Sequence, residues 1–137
     1  MAVVEELIRK EDDGTISFGN YLLGVKSKAS DFEHKGDLYK VKTFHEITKL
    51  EKNGMFVYES VPGTAVFHLD TKEDEISFEV SGNDTAQITL ELEAEKEYEV
   101  YKDNSKLGKM KTNLGGKLIL SLELDEGETN LVKVVKQ

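Results

Sequence analysis

Two stretches decide the reading of this chain: Thr85-Ala86-Gln87-Ile88-Thr89-Leu90-Glu91-Leu92-Glu93 and Lys117-Leu118-Ile119-Leu120-Ser121-Leu122-Glu123-Leu124. In the first, Ile88, Leu90 and Leu92 alternate with Thr89, Glu91 and Glu93. In the second, four leucines alternate with Ile119, Ser121 and Glu123. Successive side chains of a strand point to opposite faces, so each stretch has one apolar and one mostly polar side. Such strands must bury one face against a second sheet, which makes the class antiparallel β.

The same spelling spreads outward. Tyr98 and Val100 sit between Glu97, Glu99 and Tyr101, and Ile76, Phe78 and Val80 form another half-buried strand. Strands are read at Val3–Arg9, Thr15–Phe18, Leu38–Phe44 and Ala65–Leu69, while the polar run Ser27–Gly36 reads as looser chain. Asn53-Gly54 predicts a hairpin joining Ile47–Lys52 to Met55–Ser60, since a type I′ turn needs positive φ at both central residues. Val61-Pro62-Gly63 reads as a type II turn. Strands at Gln87–Leu92, Tyr98–Lys102, Leu107–Thr112, Lys117–Leu124 and Asn130–Val135 are expected to run as a meander. About ten short strands at this spacing predict one antiparallel β-sandwich or partly closed barrel over residues 1–137. Its core should hold Phe18, Val41, Phe56, Phe78, Val80, Ile88, Leu90, Leu92, Tyr98, Val100, Leu118, Leu120, Leu122 and Val134.

With no cysteine, the 137-residue chain has no disulfide, thiolate or Cys-based metal chemistry. That composition, and a first segment that reads as neither signal peptide nor membrane anchor, set cytoplasmic as the expectation. A net charge of −9 leaves no obvious nucleic-acid surface. Lys26, Lys28, Lys35, Lys40 and Lys42 cluster in one stretch and read as a solvated strand edge.

No motif for catalysis emerges. His34, His45 and His68 lack the spacing of a preformed metal site. Glu91, Glu93, Glu95, Glu97 and Glu99 would make a self-repelling row on one strand, so a turn is expected at Ala94–Lys96. The acidic runs Asp70–Glu75 and Asp125–Glu128 lack the spacing of an EF-hand loop. No phosphate loop or nucleophile elbow is present. The sequence therefore implies no catalytic residue, no metal and no cofactor. Tyr39, Tyr58 and Tyr101 are the candidate binding residues, because tyrosine offers an apolar face and a polar tip. Strand edges near Leu38–Lys42 or Met55–Ser60 are the expected docking surfaces.

Tyr98-Glu99-Val100-Tyr101-Lys102-Asp103-Asn104, continuing through Thr112-Asn113 and Gly116-Lys117-Leu118 to Glu126-Gly127-Glu128, resembles the small β-sandwich domains at the C-termini of many carbohydrate-active enzymes. The resemblance covers roughly the last fifty residues and implies an accessory, non-catalytic domain. Asp31-Phe32-Glu33-His34-Lys35-Gly36-Asp37-Leu38-Tyr39-Lys40-Val41-Lys42-Thr43 and Asn53-Gly54-Met55-Phe56-Val57-Tyr58-Glu59-Ser60-Val61-Pro62-Gly63-Thr64 resemble a family of small bacterial proteins described as endosialidase-like. That resemblance implies cleavage of polysialic acid. Sialidase sites grip the substrate carboxylate with several arginines, whose planar fork suits it. This chain has one, Arg9. The expectation is thus a non-catalytic binding or assembly module, with a protein partner or a second copy of itself. A carbohydrate is the alternative ligand, and neither nucleic acid nor a membrane is expected.

Overall fold

A computed structural model describes residues 2–125 and 127–137. Glu126, in the acidic turn expected at Asp125–Glu128, lies outside the described residues. The described chain is all β, with thirteen strands. The first six are β1 (Ile8–Lys10), β2 (Ile16–Phe18), β3 (Ser27–His34), β4 (Asp37–Thr43), β5 (Thr48–Lys52) and β6 (Met55–Val61). Then follow β7 (Ala65–Thr71), β8 (Glu75–Ser81), β9 (Ala86–Glu91), β10 (Glu97–Lys102), β11 (Ser105–Lys111), β12 (Lys117–Leu122) and β13 (Asn130–Lys136). They form two open antiparallel sheets that make a sandwich. One runs β1-β2-β7-β8-β13-β10-β11 and the other β12-β9-β6-β5-β4-β3.

The core lies between the sheets. Tyr58 of β6 meets Phe18 of β2 and Phe78 of β8 edge-on, with ring centroids 5.3 and 5.8 Å apart. Leu118, Leu120 and Leu122 join Ile88 and Leu90 beneath β9 and β12. Burying these side chains stabilises by about 1.5–3 kcal/mol each. Of the expected core, Leu92 is only partly buried and Phe56 does not belong to the core cluster. Leu92 lies just past the end of β9, and for Phe56 a bulge between Leu50 and Glu51 is responsible. It pairs Leu50 with Tyr58 but Glu51 with Phe56, so Val57 is the extra residue. A residue added to one strand reverses its facing beyond that point. Tyr58 points inward, Val57 packs against the core, and Phe56 stands among Lys49 and Lys117.

The turns divide similarly. Asn53 (φ 53°) and Gly54 (φ 79°) make the expected tight hairpin between β5 and β6. The chain also turns between β9 and β10, with Glu95 at φ 53°, which breaks the glutamate row. Gly63, in contrast, is not in the left-handed region that a type II turn requires, and the Val61–Pro62 peptide is cis. Glycine is needed there for a close approach: a Cβ would lie 2.0 Å from the Phe44 carbonyl oxygen. The first strand is shorter than Val3–Arg9, because Leu7 (φ 74°) closes a turn onto the Val4 carbonyl and accepts from Gly19 N–H.

Two connectivity expectations are corrected. Ser27–His34 is a strand, β3, held by pairing with β4. Its polarity reflects its place at a sheet edge. The C-terminal strands do not form a meander: β9 pairs with β6 and β12, whereas β10 pairs with β11 and β13. The chain changes sheet after β2, β6, β8, β9, β11 and β12. The meander is in the middle, β3 to β6. Leu38–Lys42 and Met55–Ser60 are accordingly interior strands, and neither is an edge.

Candidate functional site

Four turns meet at one end of the sandwich. The six-stranded sheet contributes the β3–β4 turn, where Lys35 and Gly36 have φ of 52° and 84°, and the β5–β6 turn at Asn53-Gly54. The amide side chain of Asn53 locks these turns together. Its Nδ2 donates to Asp37 Oδ1 at 2.8 Å and its Oδ1 accepts from Leu38 N–H at 2.9 Å. Lys52 Nζ stands 4.0 Å from Asp37 Oδ2. The seven-stranded sheet contributes the β1–β2 turn and the β7–β8 turn. His34 Nε2 lies 3.1 Å from the Gly14 carbonyl oxygen, which joins the two sheets across the mouth.

Tyr39 is the side chain around which this end is hollow. It lines three adjoining clefts. One, of about 220 Å³, is bounded by Gly14, His34, Asp37 and Asp70. A second, of about 270 Å³, opens between the sheets toward Leu69 and Ile76. A third, of about 430 Å³, lies outward against Leu38, Lys40 and Glu51. The Tyr39 ring is half-buried and sits 6.3 Å from the His34 ring. Burial, and then the Asp37 carboxylate, push its phenol pKa above the ordinary value of 10.0. The phenol is therefore a neutral donor and acceptor, with an apolar face beside it.

The other two candidate tyrosines are elsewhere. Tyr58 is fully buried, and its hydroxyl is 2.8 Å from Thr64 Oγ1, so it presents nothing to a partner. Tyr101 stands on the outer face of the seven-stranded sheet, in a hollow of about 310 Å³ with Asn104, Leu131, Lys133 and Val135. Two residues before it, Glu99 is buried on that same face. Its Oε1 is 3.5 Å from Lys106 Nζ and its Oε2 has no hydrogen-bond partner among the described residues. The structure does not bring Tyr39 and Tyr101 together.

Sequence reasoning missed His34, Asp37, Lys52 and Asn53 as a group. Asn53 was readable as a turn residue, but its side-chain bond to Asp37 spans two hairpins. The histidines are dispersed: His34 is at the mouth, His45 stacks edge-on against Phe44, and His68 Nδ1 is 3.0 Å from Asp13 Oδ2. Among the described residues, no three of His, Asp or Glu stand together as metal ligands would. Lys40 and Lys42 belong to an interior strand, not an edge, and Lys28, Lys42 and Lys49 stand directly opposite one another across β3, β4 and β5.

Comparison of the chain with protein families, curated proteins and solved structures finds no match. Among the described residues, no helix is long and apolar enough to cross a membrane.

Proposed function

We propose that the protein is a binding module without catalysis of its own, and that it takes a protein segment at the Tyr39 end of the sandwich. The observation that carries this reading is the convergence of three clefts on one half-buried tyrosine. Leu38 and Met55, 48% and 71% exposed, flank the mouth. An aromatic anchor with an apolar rim and nearby hydrogen-bonding groups is the usual composition of an interface centre. Asp37 and Asn53 are occupied with each other, which supports a role in holding the hairpins rather than in proton transfer. A cytoplasmic location belongs to the same proposal, since a cysteine-free chain folds without an oxidising compartment.

A second reading is a carbohydrate ligand. It is favoured by the ring of His34, Asp37, Lys52 and Asn53 around Tyr39, whose donors and acceptors could meet sugar hydroxyls while the ring stacks. A displayed-peptide library and a glycan array, each probed with the wild-type chain and with Tyr39→Ala, separate the two. Peptide binders that lose the variant support the first reading, and glycans that do so support the second. Ligands indifferent to Tyr39 would move the site elsewhere. Turnover of polysialic acid or another glycan by the purified chain would overturn the non-catalytic reading.

A further inference from the structure

Four strands end the two sheets: β1 and β11 in one, β12 and β3 in the other. An open edge invites pairing with another chain, and folded proteins blunt edges by shortening, bulging or charging them. β1 has three residues. β3 is interrupted by a bulge between Ala29 and Phe32, with Asp31 at φ 56°. β11 carries Lys106, Lys109 and Lys111, and its register slips opposite Val100 and Tyr101, beside Gly108 at φ 134°. β12 has none of these guards. Its residues pair one for one with β9, from Lys117 opposite Glu91 to Leu122 opposite Ala86. Its only lysine is ion-paired with Glu91, and Ile119 is 55% exposed.

The main-chain bonds show which groups this edge leaves open. Lys117 donates its N–H to Asn113 Oδ1 at 3.0 Å, and its carbonyl accepts from Asn113 N–H at 3.1 Å. Gly116 turns the other way, its carbonyl accepting from Leu92 N–H at 2.7 Å. Antiparallel strands alternate in this manner, so the even-numbered residues of β12 bond β9 and the odd-numbered ones point N–H and C=O away from the sheet. Among the described residues, nothing bonds the outward main-chain groups of Ile119 or Ser121.

We propose that β12 is a dimerisation edge, pairing antiparallel with β12 of a second copy with Leu120 opposite Leu120. Two features select a copy of this chain as the occupant. In this register Ile119 faces Ser121 of the copy and Ser121 faces its Ile119, so every open main-chain group of Ile119 and Ser121 is bonded. The same register brings Glu123 of the copy toward Lys117 at both ends, where the ammonium already paired with Glu91 meets a second carboxylate. On the inner face, Leu118 meets Leu122 and the apolar row continues from one copy to the other. A slip of two residues either way forfeits this: Ser121 would then face Lys117, whose main chain is already taken by Asn113, or Ile119 would face Glu123, whose carbonyl already accepts from Lys102 Nζ.

Sedimentation velocity from micromolar to several hundred micromolar tests the proposal, with a concentration-dependent dimer expected. Ile119→Pro removes an outward N–H without touching the bonds to β9, and proline is tolerated at such edge positions. This variant should be monomeric with an unchanged circular dichroism spectrum. Glu123→Lys, an exposed change beyond the strand, sets like charges opposite and should weaken dimerisation about tenfold; it decides the matter should the proline variant fail to fold. A wild-type chain monomeric throughout the range, which would leave the edge to another protein's strand or to none, overturns the proposal. So does a dimer indifferent to Glu123→Lys.

Discussion

The hydroxyl of Tyr58 lies 2.8 Å from Thr64 Oγ1, and both residues are fully buried. Thr64 is the hub of a buried polar cluster. Ser60 Oγ is 2.7 Å from the same Oγ1, Thr48 Oγ1 donates to the Thr64 carbonyl at 2.7 Å, and Thr43 Oγ1 is 2.8 Å from Thr48 Oγ1. The cluster ties β4, β5 and β6 to the segment that enters β7, where the chain changes sheet.

Tyr58→Phe keeps the aromatic stack and removes one buried hydroxyl, so chemical denaturation should show a loss of about 1 kcal/mol. Burial pushes the Tyr58 phenol far above its ordinary value of 10.0. A folded pKa raised above the unfolded one gives stability that is complete below pH 10 and is lost as pH rises beyond it. Melting temperatures should therefore fall above pH 10 in the wild type, and fall less steeply in Tyr58→Phe.

Two glycines in turns should respond differently to alanine. A Cβ on Gly116, at φ 82°, would lie 2.3 Å from the Leu92 carbonyl oxygen, whereas Gly54, at φ 79°, has nothing within 4 Å. Gly54→Ala should cost only the left-handed backbone preference, about 1 kcal/mol, and Gly54→Val somewhat more. Gly116→Ala must also displace the β9–β12 junction, so its loss in denaturant unfolding should be clearly the larger.

Ser17 Oγ donates to Glu11 Oε2 at 2.5 Å, and Arg9 Nε donates to the same oxygen at 3.0 Å. The Ser17 bond first, then Arg9, hold the Glu11 carboxyl below its ordinary value of 4.5. A depressed folded pKa gives stability present above pH 4.5 and lost as pH falls below it. Glu11→Gln should flatten this acid limb in pH-dependent thermal melts and leave the limb above pH 10 unaltered.

Lys42 stands among like charges. Lys40 first, then Lys28, lower its ammonium pKa from the usual value. Lys42→Glu should raise the melting temperature at low ionic strength. The gain should shrink as salt screens these exposed charges.

Tyr39→Ala should abolish partner binding with a small effect on melting, because the ring is only half-buried at the mouth. Tyr101→Ala, on the outer face of the other sheet, serves as the control and should leave binding at the Tyr39 end intact.

Most of the strands, the facing of most of them and the Asn53-Gly54 hairpin were legible in the residues themselves, whereas β3, whose polar run read as looser chain, was not. Each rests on interactions between near neighbours: alternation over a few positions, or positive φ at two adjacent ones. The candidate site was legible only as Tyr39. Phe56 and Tyr58 share a period-two face on paper, and one bulge opposite Leu50 and Glu51 sent the first outward and the second into the core. The sequence by itself determined that this chain is an all-β protein with amphipathic strands, since alternating burial leaves no other class open to it. Only the tertiary structure decided which strand pairs with which, that β12 ends its sheet without a guard, and that four turns close around Tyr39. The reason is that main-chain hydrogen bonds join any strand to any other. Partner choice and edge position are settled by distant packing across the two sheets, and no short stretch of residues records them.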